Sequence, residues 1–170
     1  MSIPTHIWKF IESWEGGDTI TDDKDDTGGL TRWGISQVNN PDVDVRNLTK
    51  EKAIEIYLDR YWFPARCHEL PAFMQLPVMN CAVNCGVSTA IKTLQKTVGV
   101  ETDGKFGPQT MAKVKHYFGV KKFTVAFLSW QLIYYFRIVE RRSSQFKWLR
   151  GWLNRSLSAG FDNAVRYGKR

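Results

Sequence analysis

The sequence has little of several residues that would each point to a particular chemistry. Only three cysteines occur in 170 residues: Cys67, Cys81 and Cys85. An odd, small number argues against a disulfide framework and fits a reducing compartment. Histidine is equally scarce, and no CxxC or HExxH spacing is present. Cys67-His68 with Cys81 and Cys85 could in principle gather four zinc ligands. Without such spacing, buried and inert thiols are the better reading. No metal and no cofactor are therefore expected. A Cys-His peptidase is disfavoured, because no cysteine stands near a turn that would expose a thiolate. No apolar run has the length of a membrane span or of a signal peptide. The nearest approach, Phe123–Phe136, is interrupted by Thr124, Ser129 and Gln131 and reads as a buried helix. Repeats, low-complexity tracts and flexible linkers are missing too.

Acidic charge is short in one part of the chain only. Residues 1–66 carry eight basic and twelve acidic side chains, whereas residues 67–170 carry sixteen and five. From Lys121 onward the counts are eleven and two. Such a balance suits an anionic partner: a cell-wall polymer, a membrane face or nucleic acid. Nucleic acid fits least, since no groove-reading motif appears and the basic residues are spread over several elements. A basic amphipathic C-terminal helix can lie on an anionic membrane. The length suffices for one domain, or for a main lobe with a smaller second one.

What the chain does have is one concentrated stretch. Trp14-Glu15-Gly16-Gly17 is followed by Asp25-Asp26-Thr27-Gly28-Gly29-Leu30-Thr31-Arg32-Trp33-Gly34-Ile35. Ile7, Phe10, Ile11 and Trp14 recur at helical spacing, with Pro4 suited to a first turn and Ser2 or Thr5 to a cap. Gly16-Gly17 ends that helix and leaves Glu15 in its last turn. A carboxylate is repelled at a helix C-terminus, so the placement suggests a task. A carboxyl beside aromatic surface is poorly solvated, which favours its proton-donating form. Gly28-Gly29 lets the backbone turn tightly near a ligand. Asp26 and Thr31 flank those glycines, and a small β-hairpin within 18–35 would face both toward Glu15 with one water between them. Glycoside hydrolysis needs this kind of set, an acid for the leaving oxygen and a polar partner for water or the sugar cation. Asp23-x-Asp25-x-Thr27-Gly28 matches half of an EF-hand loop, but Gly34 stands where its closing Glu belongs.

Beyond residue 35 the pattern is helical. Thr49 caps a helix from about Lys50 to Trp62, which Pro64 stops. Pro71 and Pro77 break the next region, and a helix then runs from about Val78 to Cys85. Ser88 caps another, ending at Val98. Thr102–Pro108 is a turn, and a helix follows it. Lys121–Arg142 is a long apolar helix suited to the spine of the core, and Gln145–Leu157 is the last.

These motifs resemble those of the glycoside hydrolase family 108 lysozymes, many of them phage endolysins. Glu15-Gly16-Gly17 with Asp26-x-Gly28-Gly29-x-Thr31-x-x-Gly34-Ile35 is the specific part. Tyr61-Trp62-x-Pro64, Leu70-Pro71, Ala82-Val83-Asn84-Cys85-Gly86, Ala90 and Leu94-Gln95 agree in order. Val100-x-x-Asp103-Gly104-x-x-Gly107-Pro108-x-Thr110 resembles the start of that family's peptidoglycan-binding region, and Gly151-Trp152-x-x-Arg155 its closing motif. The family often has an acid a few residues before the Asn-x-Gly, where this chain has Asn80.

The resemblance implies an N-acetylmuramidase with Glu15 as catalytic acid and Asp26 and Thr31 as its partners; the adjacent Asp25 fits the same place as Asp26. Trp33, Tyr61 and Asn84 are candidates for the saccharide cleft. If Asp26 and Thr31 hold a water, inversion follows, and a short separation of the carboxyls would speak for retention. The expected fold is mainly α and lysozyme-like, with a small β-hairpin beside the catalytic helix. Residues 1–89 would be the catalytic lobe, and residues 90–170 a helical peptidoglycan-binding region packed on it as one compact unit. The expected partner is peptidoglycan, with possible contact to an anionic membrane, no nucleic acid, and a monomeric protein. Such an endolysin would be made in the host cytoplasm and act in the periplasm or wall after release. A wall-binding module without chemistry and a cationic membrane-active protein are the competing readings.

Overall fold

The computed structural model describes residues 2–22 and 29–168. Among them the chain is mainly α-helical with one two-stranded antiparallel hairpin, as expected. Packing divides it into two compact units, Met1–Arg60 and Tyr61–Arg170. This boundary lies ahead of the functional one expected after residue 89, because the helix Ala72–Cys85 packs on helices that follow it.

In the first unit, α1 (Thr5–Trp14) buries Ile7, Trp8, Phe10 and Ile11. Neither Ser2 nor Thr5 caps it. Pro4 occupies the cap position, its carbonyl accepting from the N–H groups of Ile7 and Trp8 at 2.9 and 3.0 Å. The ring of Pro4 sets the entry angle, and Thr5 already lies inside the helix. Strands β1 (Thr31–Arg32) and β2 (Ile35–Ser36) pair antiparallel. Their two-residue turn, Trp33-Gly34, has φ of +55° and +72°, the pattern of a type I′ turn. The N–H groups of Thr21 and Thr31 each donate to the other's carbonyl, at 2.9 and 2.8 Å, so the segment after α1 is tied to β1. Helix α2 (Lys50–Tyr57) is capped as expected, with Thr49 accepting from the Lys52 N–H at 3.3 Å. It does not stay regular to Trp62, because Leu58–Trp62 widens into a π-turn. Trp8 packs edge-on to Tyr57 with centroids 5.4 Å apart and tilts onto Trp33 at 6.4 Å. All three rings are buried.

The second unit contains α3 (Ala72–Cys85), α4 (Val87–Val98), α5 (Pro108–Lys115), α6 (Val120–Arg141) and α7 (Phe146–Tyr167). Helix α3 runs through Pro77 instead of breaking there. Proline forfeits one bond, the one its N–H would make to Phe73, and burial of Leu76, Pro77 and Val78 offsets that loss. Gly86, at φ +87°, separates α3 from α4, so Ser88 is a helical residue and not the cap. The longest departure is α7, which continues ten residues past Leu157. Gly160 looks like a stop in sequence, yet it is a close-packing residue. A Cβ there would collide with Leu128 of α6, and one turn on, buried Asn163 donates to Thr124 Oγ1 at 2.9 Å. Helix α6 carries apolar side chains on more than one face. Phe123, Phe127, Gln131 and Tyr135 are buried, whereas Val125, Ile133 and Phe136 are exposed. No described helix is long and apolar enough to cross a membrane.

Candidate active site

Glu15 stands at the C-cap of α1, its N–H donating to Ile11 at 3.0 Å. Gly16 and Gly17 follow in the left-handed region at φ +79° and +55°. The chain then returns, and the Trp33 N–H donates to the Gly17 carbonyl at 2.9 Å. This bond brings the hairpin turn against the end of α1. A Cβ built on Gly34 would lie 2.5 Å from Glu15 Oε2 and 2.7 Å from the Tyr57 hydroxyl. Only a glycine lets the backbone come so near the carboxylate. The Tyr57 hydroxyl donates to the Trp33 carbonyl at 3.0 Å and so fixes the turn from α2.

Trp33 holds this arrangement from the other side. It is 7 % exposed, its indole N–H donates to the Leu48 carbonyl at 3.3 Å, and the Lys50 ammonium stands 5.7 Å from its ring centroid. Lys50 in turn pairs with Glu12 at 2.7 Å. The ring therefore serves the core and secures a left-handed backbone that a bulky residue seldom adopts. Arg32 braces the next strand position, its Nε donating to Asp18 at 2.8 Å and its Nη1 to the Arg46 carbonyl at 2.9 Å.

Thr31 lies in β1, half-buried, its hydroxyl donating to the Gly29 carbonyl at 3.1 Å. Asp26 and the alternative Asp25 lie outside the described residues. Tyr61 and Asn84 belong to the second unit. Asn84 is half-buried there, and its amide nitrogen donates to the Tyr135 hydroxyl at 2.6 Å. Gln131 donates to the same oxygen at 2.9 Å, and Ser156 lies 3.1 Å from it. Asn80 is buried and accepts from Arg155 Nε at 2.8 Å, so the departure from the family acid falls opposite a guanidinium.

The cysteines differ in character. Burial pushes the Cys67 thiol up. A shared hydrogen bond and then burial keep the proton on Cys81, and the same bond lowers Cys85, which also lies 3.4 Å from the Tyr135 hydroxyl. Burial and the neighbouring Cys85 raise Tyr135. Among the described residues no three His, Cys, Asp or Glu side chains cluster as metal ligands.

Sequence reasoning missed the approach of Gly34 to the carboxylate and the support that Tyr57 gives the turn. Both carried a signal: Gly34 ends the quoted motif, and Tyr57 sits on the apolar face of α2 with a hydroxyl that needs a partner. It also missed Gln95. This residue is 1 % exposed and pins the Asp103-Gly104 turn, donating to Asp103 at 2.6 Å and the Lys105 carbonyl at 3.0 Å and accepting from the Gly104 N–H at 2.8 Å. The Lys105 N–H and Gln95 hold the Asp103 carboxyl below its usual range.

Residues 8–86 match the family model described as glycosyl hydrolase 108, and residues 89–157 match that of a predicted peptidoglycan domain. The chain is also similar to the solved structure of Brucella abortus SagA, with a TM-score of 0.75 and 26% identity over 97% of this chain and 92% of that one. No curated protein sequence matches the chain.

Proposed function

We propose that this chain, which joins a glycosyl hydrolase 108 region to a predicted peptidoglycan domain and is thus a lysozyme-like glycoside hydrolase directed at peptidoglycan, is an N-acetylmuramidase. The bond cleaved is the β-1,4 link from N-acetylmuramic acid to N-acetylglucosamine. The observation that carries the reading is the approach of Gly34 to the Glu15 carboxylate at the end of α1. A half-exposed carboxyl at a helix end, with backbone this close beside it, can reach a glycosidic oxygen.

In the proposed step Glu15 gives its proton to that oxygen, and the bond to the anomeric carbon breaks. Water adds to the anomeric carbon and loses a proton to Asp26, in the inverting form of the reaction. Thr31 helps to place the water. Its hydroxyl donates to Gly29, which leaves the oxygen lone pairs to accept from water. The expected setting is an endolysin that lyses a host cell, made in the cytoplasm and acting on the wall after release. A second reading, contact with an anionic membrane, draws on the start of α7. Phe146 and Trp148 are exposed there, and Lys147 stands 5.1 Å from the Trp148 ring centroid.

The test is digestion of purified peptidoglycan, with the new reducing ends identified by mass spectrometry. Fragments ending in reducing muramic acid are expected. Fragments ending in reducing glucosamine would replace the muramidase reading by a glucosaminidase. No new reducing ends at all would leave the wall-binding module.

A further inference from the structure

We propose that a groove between α4 and α6 is a binding site for a short anionic peptide, namely the carboxylate-bearing peptides that branch from the wall glycan. This rests on the wall-directed reading above and goes beyond it, because it names a ligand and a place. The groove holds about 170 Å³ and is lined by Thr89, Lys92, Thr93, Lys96, Trp130, Ile133, Tyr134 and Arg137. Three of these are cations and none is an acid.

The spacing makes two rows, one on each helix. Lys92 and Lys96 are one turn apart on α4, and Trp130, Tyr134 and Arg137 follow one another along a face of α6. The row on α6 is about 10 Å long at the α-helical rise. That length suits a few extended peptide residues and is short for a glycan of several sugars.

The two lysines have neighbours that restrict them. The Lys92 stem runs over Gly104, where a Cβ would come within 2.9 Å of Lys92 Cε, and Gly104 has φ +78°. Gln95 and Asp103 fix that glycine, as described above. Lys96 places its ammonium 5.3 Å from the centroid of Trp130, a ring 37 % exposed. An ordered lysine loses less entropy on binding than a free one. The wall glycan backbone itself offers no strong anion beyond these branches, so paired lysines and an arginine favour the peptide. The half-open Trp130 and Tyr134 rings give apolar walls for its small side chains.

The test is titration calorimetry of the full chain with the peptide released from wall by an amidase, and with the same peptide after its carboxylates are amidated. Wild type is expected to bind the free peptide. The double variant Lys92→Gln/Arg137→Gln, and separately amidation of the peptide, should each weaken binding about tenfold or more. Gly104→Ala displaces the Lys92 stem without removing a charge and should weaken binding to a smaller extent. Equal binding of free and amidated peptide, or no loss in the double variant, would overturn the proposal. So would no binding by wild type. Poly(glycerol phosphate) serves as a phosphodiester probe, and tighter binding of it than of the peptide would also overturn the assignment. Reducing-end release by wild type, measured alongside, separates the two readings. Cleavage with no peptide binding rejects the groove alone, and peptide binding with no cleavage rejects the muramidase alone.

Discussion

Residues 1–60 and residues 61–170 use their polar groups in opposite ways. In the first unit the candidate acid is positioned by backbone: a two-residue turn, one glycine and two carbonyls that accept from Trp33 and Tyr57. Its side chain stays half-exposed at a helix end. In the second unit polar side chains join helix to helix in the interior. Asn84, Gln131 and Ser156 meet on Tyr135, Asn80 meets Arg155, and Asn163 meets Thr124. Charge divides the same way, with seven basic and twelve acidic side chains in the first unit and seventeen and five in the second. The candidate acid thus depends on local backbone geometry, and the scaffold of the second unit on hydrogen bonds between buried side chains of different helices.

Gly34→Ala should break the contrast most sharply. The new methyl meets Glu15 Oε2 and the Tyr57 hydroxyl in a left-handed backbone. Misplacing a catalytic acid by about an ångström costs on the order of a hundredfold in rate. The expected result is such a loss in kcat, with a fall in stability of about 1–2 kcal/mol from the backbone strain. Rate assays and thermal unfolding on the same sample separate the two.

Gly160→Ala is the counterpart in the second unit. Its methyl would press on Leu128 between α6 and α7, and overpacking of that kind costs about 1–3 kcal/mol. Thermal unfolding should register it, while the rate per folded molecule holds. Tyr135→Phe leaves the buried amide of Gln131 without its hydroxyl and should cost about 1–2 kcal/mol, again without a change in kcat. A large fall in kcat in either variant would show that the two regions do not divide the work in this way.

The smallest effect concerns pH. Asp103 is held below its usual range by the Lys105 N–H and Gln95. Its folded form therefore binds protons less readily than the unfolded chain. It contributes stability at neutral pH that fades as pH falls from the ordinary carboxylate range, about 4, through the lowered folded value. Asp103→Asn should flatten the acid limb of a stability–pH curve. An unchanged limb would place that dependence elsewhere.

Much of this was legible in the sequence where one residue settles one local question. Gly16-Gly17 fixed the end of α1 and the position of Glu15, Thr49 marked its helix, and the Trp33-Gly34 step fell within the expected hairpin. Other features depend on a partner far along the chain. Gly160 and Pro77 are breakers by propensity, and only Leu128 for the one and burial for the other show why their helices continue. Trp33 is a candidate for the saccharide cleft, and its packing on Trp8 and its bond to Leu48 are not written in its local sequence. Asn84 is a cleft candidate too, and its bond to Tyr135, fifty-one positions away, is equally absent from its local pattern. Side-chain spacing in one helix carries no information about such partners.

The most direct test of the account compares wild type with Glu15→Gln in two assays on purified wall, release of reducing ends and sedimentation with the insoluble polymer. The swap keeps the shape of the side chain and removes its proton. Glu15→Gln is expected to fold and sediment like wild type but to release reducing ends at less than about one hundredth of its rate. Equal release by both proteins would contradict it and place the acid elsewhere in the chain.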